Sequence, residues 1–175
     1  MVRLMRDRRG VSAVEFALIL PLLILLYVGA AEIGNALTIY RRTSAVASTA
    51  ADLTAQTKTV STADLQDITA ASSSILTPYS TTPLTIVVSS VVADENNNGK
   101  VAWSYASKGS ARGTNSSYAV PAGLTQPNSS VIVAEITYAF TPLLDLETFF
   151  SPGSFEMKRI FYARPRKSLT VKKTN

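Results

Sequence analysis

A single carboxylate stands inside an otherwise apolar run near the start of the chain. Residues 11–31 read VSAVEFALILPLLILLYVGAA, in which Glu15 is the only charged side chain, and a segment with four arginines that ends at Gly10 precedes them. A charge within a membrane-spanning helix costs roughly 2.5 to 3.5 kcal/mol on insertion scales. We therefore expect Glu15 to have a function, because its carboxylate needs a compensating partner.

Side chains suited to catalysis are scarce. The chain has no histidine and no cysteine, which excludes His-based triads, thiol nucleophiles, zinc sites built on these residues and disulfide bonds. Serine is abundant, yet neither a G-x-S-x-G turn nor an S-x-x-K pair occurs. An enzyme is the least favoured class, and we predict no cofactor.

One acidic stretch resembles the start of a calcium loop. Asp94-Glu95-Asn96-Asn97-Asn98-Gly99 offers the opening oxygen ligands, but the twelfth position, where a bidentate Glu belongs, is Tyr105. Asn-Gly between two strand-like runs is also a strong hairpin signal. We predict a hairpin turn here and no metal site.

The net charge of +5 is concentrated at the two ends of the chain. Residues 1–10 carry four basic side chains and one acidic one, and residues 164–175 carry five basic side chains. The body between Val11 and Ala163 is consequently about three charges negative. It has no basic face that could follow a phosphate backbone, so we predict no nucleic-acid partner.

The apolar run is long enough to cross a membrane. Its 21 residues match the roughly 20 needed for a hydrocarbon core of about 30 Å. The arginines before it predict that Met1 is cytoplasmic and that the rest of the chain lies outside the inner membrane. Pro21 predicts a kink. Leu37, Tyr40, Ala47 and Ala51 continue helical spacings, and no Gly or Pro follows Gly34 before Lys58.

Two features of this helix permit alternatives. Ala30 and Gly34 form a small-xxx-small pair through which a partner helix could pack, although an alanine-rich helix would also contain one. Val28-Gly29-Ala30 fits a signal-peptidase site, which would make the chain a secreted or membrane-anchored envelope binding protein with a Sec-type signal. Glu15 and the helical continuity past that point argue against cleavage there.

The string RDRRGVSAVEFALILP resembles a type IV prepilin processing site of the Flp kind. The resemblance implies cleavage by a prepilin peptidase between Gly10 and Val11, with Glu15 and Phe16 as assembly residues. The longer string SAVEFALILPLLILLYVGAAEIGNA is similar to the start of TadE-like proteins, the pseudopilins of the tight adherence (Tad) pilus system. Flp major pilins typically carry Tyr where this chain has Phe16, and they are much shorter, which favours a TadE-like minor pilin.

The family also implies a setting for the chain. Its partners would be the prepilin peptidase, pilin and other pseudopilin subunits, the inner-membrane pilus assembly platform and the lipid bilayer. The string ITYAFTPLL and the approach to Arg164-Pro165-Arg166 resemble the closing part of TadE-like sequences, though less specifically.

Cleavage after Gly10 would supply the partner that Glu15 needs. The new amine of Val11 would lie about one helical turn, roughly 6 Å, from the carboxylate, or would come from a neighbouring subunit. A charge pair at about 4 Å is worth roughly 4 kcal/mol at an effective dielectric of 20, which is comparable with the insertion penalty. The alternative is that Glu15 lies in the headgroup region, where it costs little.

The remainder predicts a small α+β domain. Ser61 and Asp64 resemble a capping box that opens a short helix with Leu65, Ile68 and Ile75 on one side. Four strand-like runs follow, at 84–92, 101–106, 131–140 and 155–163. We expect a four-stranded, mainly antiparallel sheet covered by the short helix. The last strand is expected to be only partly buried on either face, because the alternate residues on each side of it include both polar and apolar side chains.

The predicted order along the chain is a leader at 1–10, a transmembrane and stalk helix at 11–58, the α+β domain at 59–163 and a basic tail at 164–175. Residues 108–130 are rich in Gly, Ser and Asn, and we expect a mobile loop or a variable contact surface. The tail is expected to be solvated and disordered, with contact to anionic envelope polymers as the alternative.

Overall fold

A computed structural model describes residues 9–142 and 154–174. Its longest element is one continuous helix, α1 (Arg9–Ala55), which passes through Pro21 without interruption. The predicted union of the apolar run and the stalk in a single helix is confirmed. Residues 11–27 of α1 are exposed, whereas the domain packs against its later turns.

The domain begins directly after α1. Strand β1 (Thr59–Val60) is followed by helix α2 (Thr62–Ser73) and a 3-10 turn (Ser74–Leu76). The predicted capping box is present: the Ser61 side chain accepts from the Asp64 backbone N–H, and the Asp64 carboxylate accepts from the Ser61 N–H. These two bonds satisfy donors that the first turn of a helix otherwise leaves free, which fixes where α2 begins.

Four strands form one antiparallel sheet, as expected. They are β2 (Leu84–Ala93), β3 (Gly99–Ala106), β4 (Ser130–Phe140) and β5 (Phe155–Ala163), in the order β3-β2-β4-β5. The observed bounds differ from the predicted ones by at most two residues, because the β-branched and aromatic runs end at turn residues. Met157 is the only buried residue of β5 and the others are half-buried or exposed, so this strand is only partly buried, as expected.

The core lies between the sheet and α1. Alternate residues of the strands point at the helix and form one buried cluster with α1 and α2, which includes Val46, Leu65, Ile86, Ile132 and Ile136. The helix contributes mainly small side chains here, among them Ala47, Ala50 and Ala51, which are fully or almost fully buried. Small residues let the helix axis approach the sheet closely.

A β-bulge reverses the pattern of β3. Ser90 pairs with Trp103 and Val91 pairs with Val101, so Ala102 is an extra residue in the ladder. Trp103 consequently belongs to the core on the α1 side, while Val101 belongs to a second buried cluster on the opposite face. Strict alternation along β3 would have placed both side chains on one face.

The segment 108–130, which was expected to be a variable contact surface or a mobile loop, lies against the opposite face of the sheet. Tyr118 is buried in the second cluster beside Val131 and Val133. Ser117 bridges to Lys100, and the Thr125 hydroxyl donates to Asn97 at 3.0 Å. The face carries apolar side chains that need cover, and the segment supplies it.

The tail is also ordered, contrary to the expectation of solvated disorder. Strand β6 (Lys172–Lys173) pairs in parallel with β1, and Val171 is buried in the main core. The Trp103 indole N–H donates to the Val171 carbonyl at 2.8 Å. Pro165 does end the preceding strand, since β5 stops at Ala163.

The hairpin predicted at the acidic stretch joins β2 to β3. Asn97, with φ of 61°, supplies the left-handed turn residue, while Gly99 already belongs to β3. The Asp94 carboxylate accepts from the backbone N–H groups of Asn96 and Asn98 at 3.0 and 2.8 Å. These bonds, with that of Asn98 the largest cause, lower the pKa of Asp94. The carboxylate therefore organises the turn itself.

Candidate assembly surface

The predicted processing and assembly residues lie at the beginning of α1. Gly10 and Val11 are in its first turn, and the backbone N–H groups of a first turn have no partner within the helix. Val11 and Phe16 expose 57% and 58% of their surface, and Glu15 is exposed as well. No part of the described domain covers them.

Helical geometry puts the assembly residues on one side of α1. Eighteen residues make about five turns, so Glu15 lies above the same face as Ile33, and Phe16 above the same face as Gly34. Ala30 falls between these two directions. The predicted pairs Glu15–Phe16 and Ala30–Gly34 are thus parts of one face, although some 20 Å separates them along the helix axis.

This face points away from the domain. Ile39 and Val46 mark the opposite side of α1, where they are buried against the sheet. On the free side, Ile33 and Leu37 expose 64% and 52% of their surface beyond the apolar run. We call this side the free face; its members are Glu15, Phe16, Ala30, Ile33, Gly34 and Leu37.

The free face is smooth at its centre. Within the described residues, no atom other than the adjacent backbone of α1 lies within 4 Å of where a Cβ on Gly34 would stand. The Thr38 hydroxyl donates to the Gly34 carbonyl at 2.8 Å, so the backbone there has an additional bond. A shallow surface of small residues with apolar neighbours is one into which a second helix can pack closely.

Two arginines that sequence reasoning missed fix the stalk to the domain. Arg42 of α1 donates to the carbonyls of Ile75, at 2.8 Å, and Thr77. Arg159 of β5 donates to the Ser44 hydroxyl at 2.6 Å and to the Tyr40 hydroxyl at 2.5 Å. The only sign of these contacts in the sequence was that Arg159 is the one charged residue among the alternate residues of β5 that share its side of the strand.

Aromatic contacts reinforce this junction. The guanidinium of Arg159 lies 4.2 Å from the ring centroid of Tyr40, and that of Arg42 lies 5.7 Å from that of Tyr79. Each cation–π contact of this kind is worth about 0.5 to 1 kcal/mol at an exposed site. Together with the shared core they make the stalk part of the domain, so the free face has a fixed direction relative to the sheet.

A third arginine holds the 108–130 segment on the sheet. Arg112 donates from Nε and Nη2 to the two carboxylate oxygens of Glu135 at 2.5 and 2.7 Å, and its guanidinium lies 4.7 Å from the Tyr118 ring. The bonds to Glu135 raise the pKa of Arg112, and burial is the largest cause that raises the pKa of Tyr118. Neither Arg112 nor Glu135 was singled out from the sequence.

Residues 9–142 and 154–174 contain no group of three or more His, Cys, Asp or Glu side chains placed to hold a metal ion. Helix α1 is long and apolar enough to cross a membrane, and its most apolar window is entirely unburied. These properties are compatible with a single-pass anchor. The fold thus defines a class of stalk proteins in which one helix contains both a segment of membrane-spanning length and the core helix of the domain.

A comparison with protein families gives a more specific assignment. The model of the family described as TadE-like protein matches residues 10–52, which is nearly the whole of α1. The resemblance inferred from the sequence is confirmed over the amino-terminal helix, where the chain is similar to TadE-like proteins. That family is not known as enzymatic. No curated protein and no solved structure matches the chain.

Proposed function

We propose that this protein is a minor pilin, or pseudopilin, that takes part in assembling Tad pili after a prepilin peptidase removes residues 1–10. Residues 11–58 form the transmembrane and stalk helix, 59–163 the outer domain and 164–175 the basic tail. Met1 lies in the cytoplasm and the domain in the periplasm, because four of the basic residues precede the apolar run. The partners are the peptidase, pilin and pseudopilin subunits, the inner-membrane platform and the bilayer.

The observation that carries this proposal is the free face of α1. The residues that the processing motif marks for assembly share one side of the helix with the small-xxx-small pair, and along the later turns of α1 the protein's own domain occupies the other side. This division suits a subunit that packs its helix against neighbours while it holds its domain clear of them.

Removal of residues 1–10 by the peptidase would also act on the free face. Cleavage after Gly10 would leave Val11 with a charged amine within about one turn of Glu15. If the amine and the carboxylate belong to adjacent subunits, their attraction fixes the axial register between two helices. Helix packing through Ala30 and Gly34 would set the distance between the same two helices.

The runner-up, a chain released by signal peptidase near Ala30, fits less well. Helix α1 continues without a break from Arg9 to Ala55, and cleavage at Ala30 would cut the free face in two and remove Glu15 and Phe16 from the mature chain. The family match also begins at residue 10 and extends across that point.

A photo-cross-linking pair tests the proposal. A diazirine analogue of leucine is incorporated at Leu37 or, as the control, at Leu25, in cells that assemble the pilus. Both side chains are half exposed, at 52% and 51%, but Leu25 lies about four turns before Ile39, on the domain side of α1. We expect cross-links to pilin subunits from position 37 in clear excess over position 25. Equal yields, or none to any pilus component, would contradict the proposal.

A further inference from the structure

The proposed function leaves the basic tail unexplained. Residues 164–174 contain five cationic side chains and no acidic or aromatic one. Their backbone is tied to the end of the stalk: the Arg166 N–H donates to Ala55 O at 2.9 Å, and the Lys172 N–H donates to Lys58 O at 3.2 Å. The charges are therefore displayed from a fixed backbone and do not belong to a solvated coil.

These charges lie at the end of the domain that is farthest from the apolar run. Ala55, to which the tail is bonded, is 24 residues beyond Ala31, which corresponds to about 36 Å along the helix axis. That distance exceeds the screening length of about 8 Å at physiological ionic strength several times. The headgroups around the chain's own anchor therefore do not neutralise the tail.

Most of the tail's cations are free to take an external anion. Arg166 pairs with Asp52. Within the described ranges, no carboxylate lies within salt-bridge distance of Lys167, Lys172 or Lys173, and all three are exposed. The hairpin turn between β2 and β3 brings two acidic residues to this end of the sheet, but Asp94 is engaged with its own turn.

Arg164 is placed differently, at a cleft with both polar and apolar lining residues. The cleft, of about 140 Å³, is lined by Gln126, Ser129, Ser130, Arg164, Pro165, Ser168 and Leu169. The guanidinium of Arg164 donates to the carbonyls of Leu124 at 2.9 Å and Gly123 at 2.5 Å. A guanidinium has five N–H donors, so donors remain for a ligand. The amide and hydroxyl groups around it suit a hydroxylated, anionic ligand.

We propose that this end of the domain binds a phosphodiester-linked glycopolymer. Phosphates along the polymer would lie along the distal basic end, defined as Arg164, Lys167, Lys172 and Lys173, while a polyol or sugar unit enters the cleft. The fixed cations supply attraction, and the cleft supplies hydrogen bonds that a simple polyanion would not use. Sequence-independent binders of single-stranded nucleic acid rely on aromatic stacking platforms, and residues 164–174 have no aromatic side chain.

The test uses the full chain in neutral detergent micelles and a fluorescein-labelled poly(glycerol phosphate), with anisotropy as the readout. Four phosphate contacts, at the counterion-release slope of a flexible strand, predict an affinity loss of about fiftyfold between 50 and 200 mM salt. The double variant Lys172→Gln/Lys173→Gln should reduce that loss to about sevenfold. Both side chains are exposed, so glutamine preserves β6.

The matched control is Arg41→Gln/Lys158→Gln, which removes the same charge from exposed positions outside the distal basic end. It should leave affinity and salt slope unchanged. Absence of binding, or an equal loss in the control, would overturn the proposal. Equal or tighter binding of a single-stranded oligonucleotide of the same phosphate number would overturn the choice of a glycopolymer, and preferential binding to anionic vesicles would do the same. None of these outcomes depends on the pilin assignment, which the cross-linking pair tests separately.

Discussion

Replacing Glu135 by glutamine should release the 108–130 segment from the sheet without unfolding the domain. The carboxylate accepts two charge-assisted bonds from Arg112 at 2.5 and 2.7 Å, and the side chains are 18% and 42% exposed respectively. A fully buried pair of this geometry would be worth more, and an exposed pair typically contributes about 0.2 to 1 kcal/mol. Half burial and bidentate geometry place the expected loss at about 1 to 2 kcal/mol.

Amide hydrogen exchange in detergent micelles measures this loss locally. The Tyr118 N–H donates to Gly99 O at 2.9 Å, and the Asn115 N–H donates to Val101 O at 2.7 Å, so these amides report on the segment. Since about 1.4 kcal/mol is a tenfold change in an opening equilibrium, they should exchange about five- to thirtyfold faster in Glu135→Gln.

The chain offers a matched control for that variant. Glu156 pairs with Lys158 at 2.8 Å, but these side chains are 56% and 68% exposed, so Glu156→Gln should leave exchange in the segment unchanged. Unchanged exchange in Glu135→Gln, or equal acceleration in the control, would refute the reasoning that a partly buried bidentate pair holds the segment.

Three further substitutions test the fold. In Gly99→Ala the new Cβ would lie 2.4 Å from the Tyr118 carbonyl oxygen, so chemical unfolding should show a loss of about 1 to 3 kcal/mol. Trp103→Phe removes the donor to the Val171 carbonyl, which should destabilise the chain by about 1 to 3 kcal/mol and accelerate exchange in β6. The Asp64 pKa is lowered mainly by a bond from a backbone N–H, so its contribution is present above its unfolded pKa of about 3.9 and is lost at lower pH. The stability difference between Asp64→Asn and the parent should therefore close on acidification, as unfolding curves between pH 6 and pH 3 can show.

The elements of this fold were predictable where local sequence determines them. Side-chain periodicity and capping are local properties, so the long helix, the box at Ser61 and the four strands followed from neighbouring residues. The bulge at Ala102 was not predictable, because two registers of β3 satisfy the same alternation until β2 is placed beside it.

Two polar segments carried the weakest signals. The 108–130 segment was expected to be a variable contact surface or a mobile loop, and the tail was expected to be solvated, yet each buries one apolar anchor, Tyr118 and Val171 respectively. A single anchor leaves no pattern in a sequence, and its burial depends on a cavity that distant strands create. The arginine contacts of Arg42 and Arg159 likewise depend on tertiary neighbours.

The assembly residues present the reverse case. The motif around Gly10 could be recognised from the sequence alone, but nothing in it indicates which side of the helix the domain occupies. Only the packing of Ile39 and Val46 shows that Glu15 and Gly34 share the opposite side.

The intact mass and first residue of the mature polypeptide test the central claim most directly. Co-expressed with a prepilin peptidase, the chain should lose residues 1–10 and begin at Val11, and Gly10→Leu should remain full length while still inserting in the membrane. A mature chain that begins near Ala31, or one whose processing is indifferent to the peptidase and to Gly10→Leu, would contradict the account.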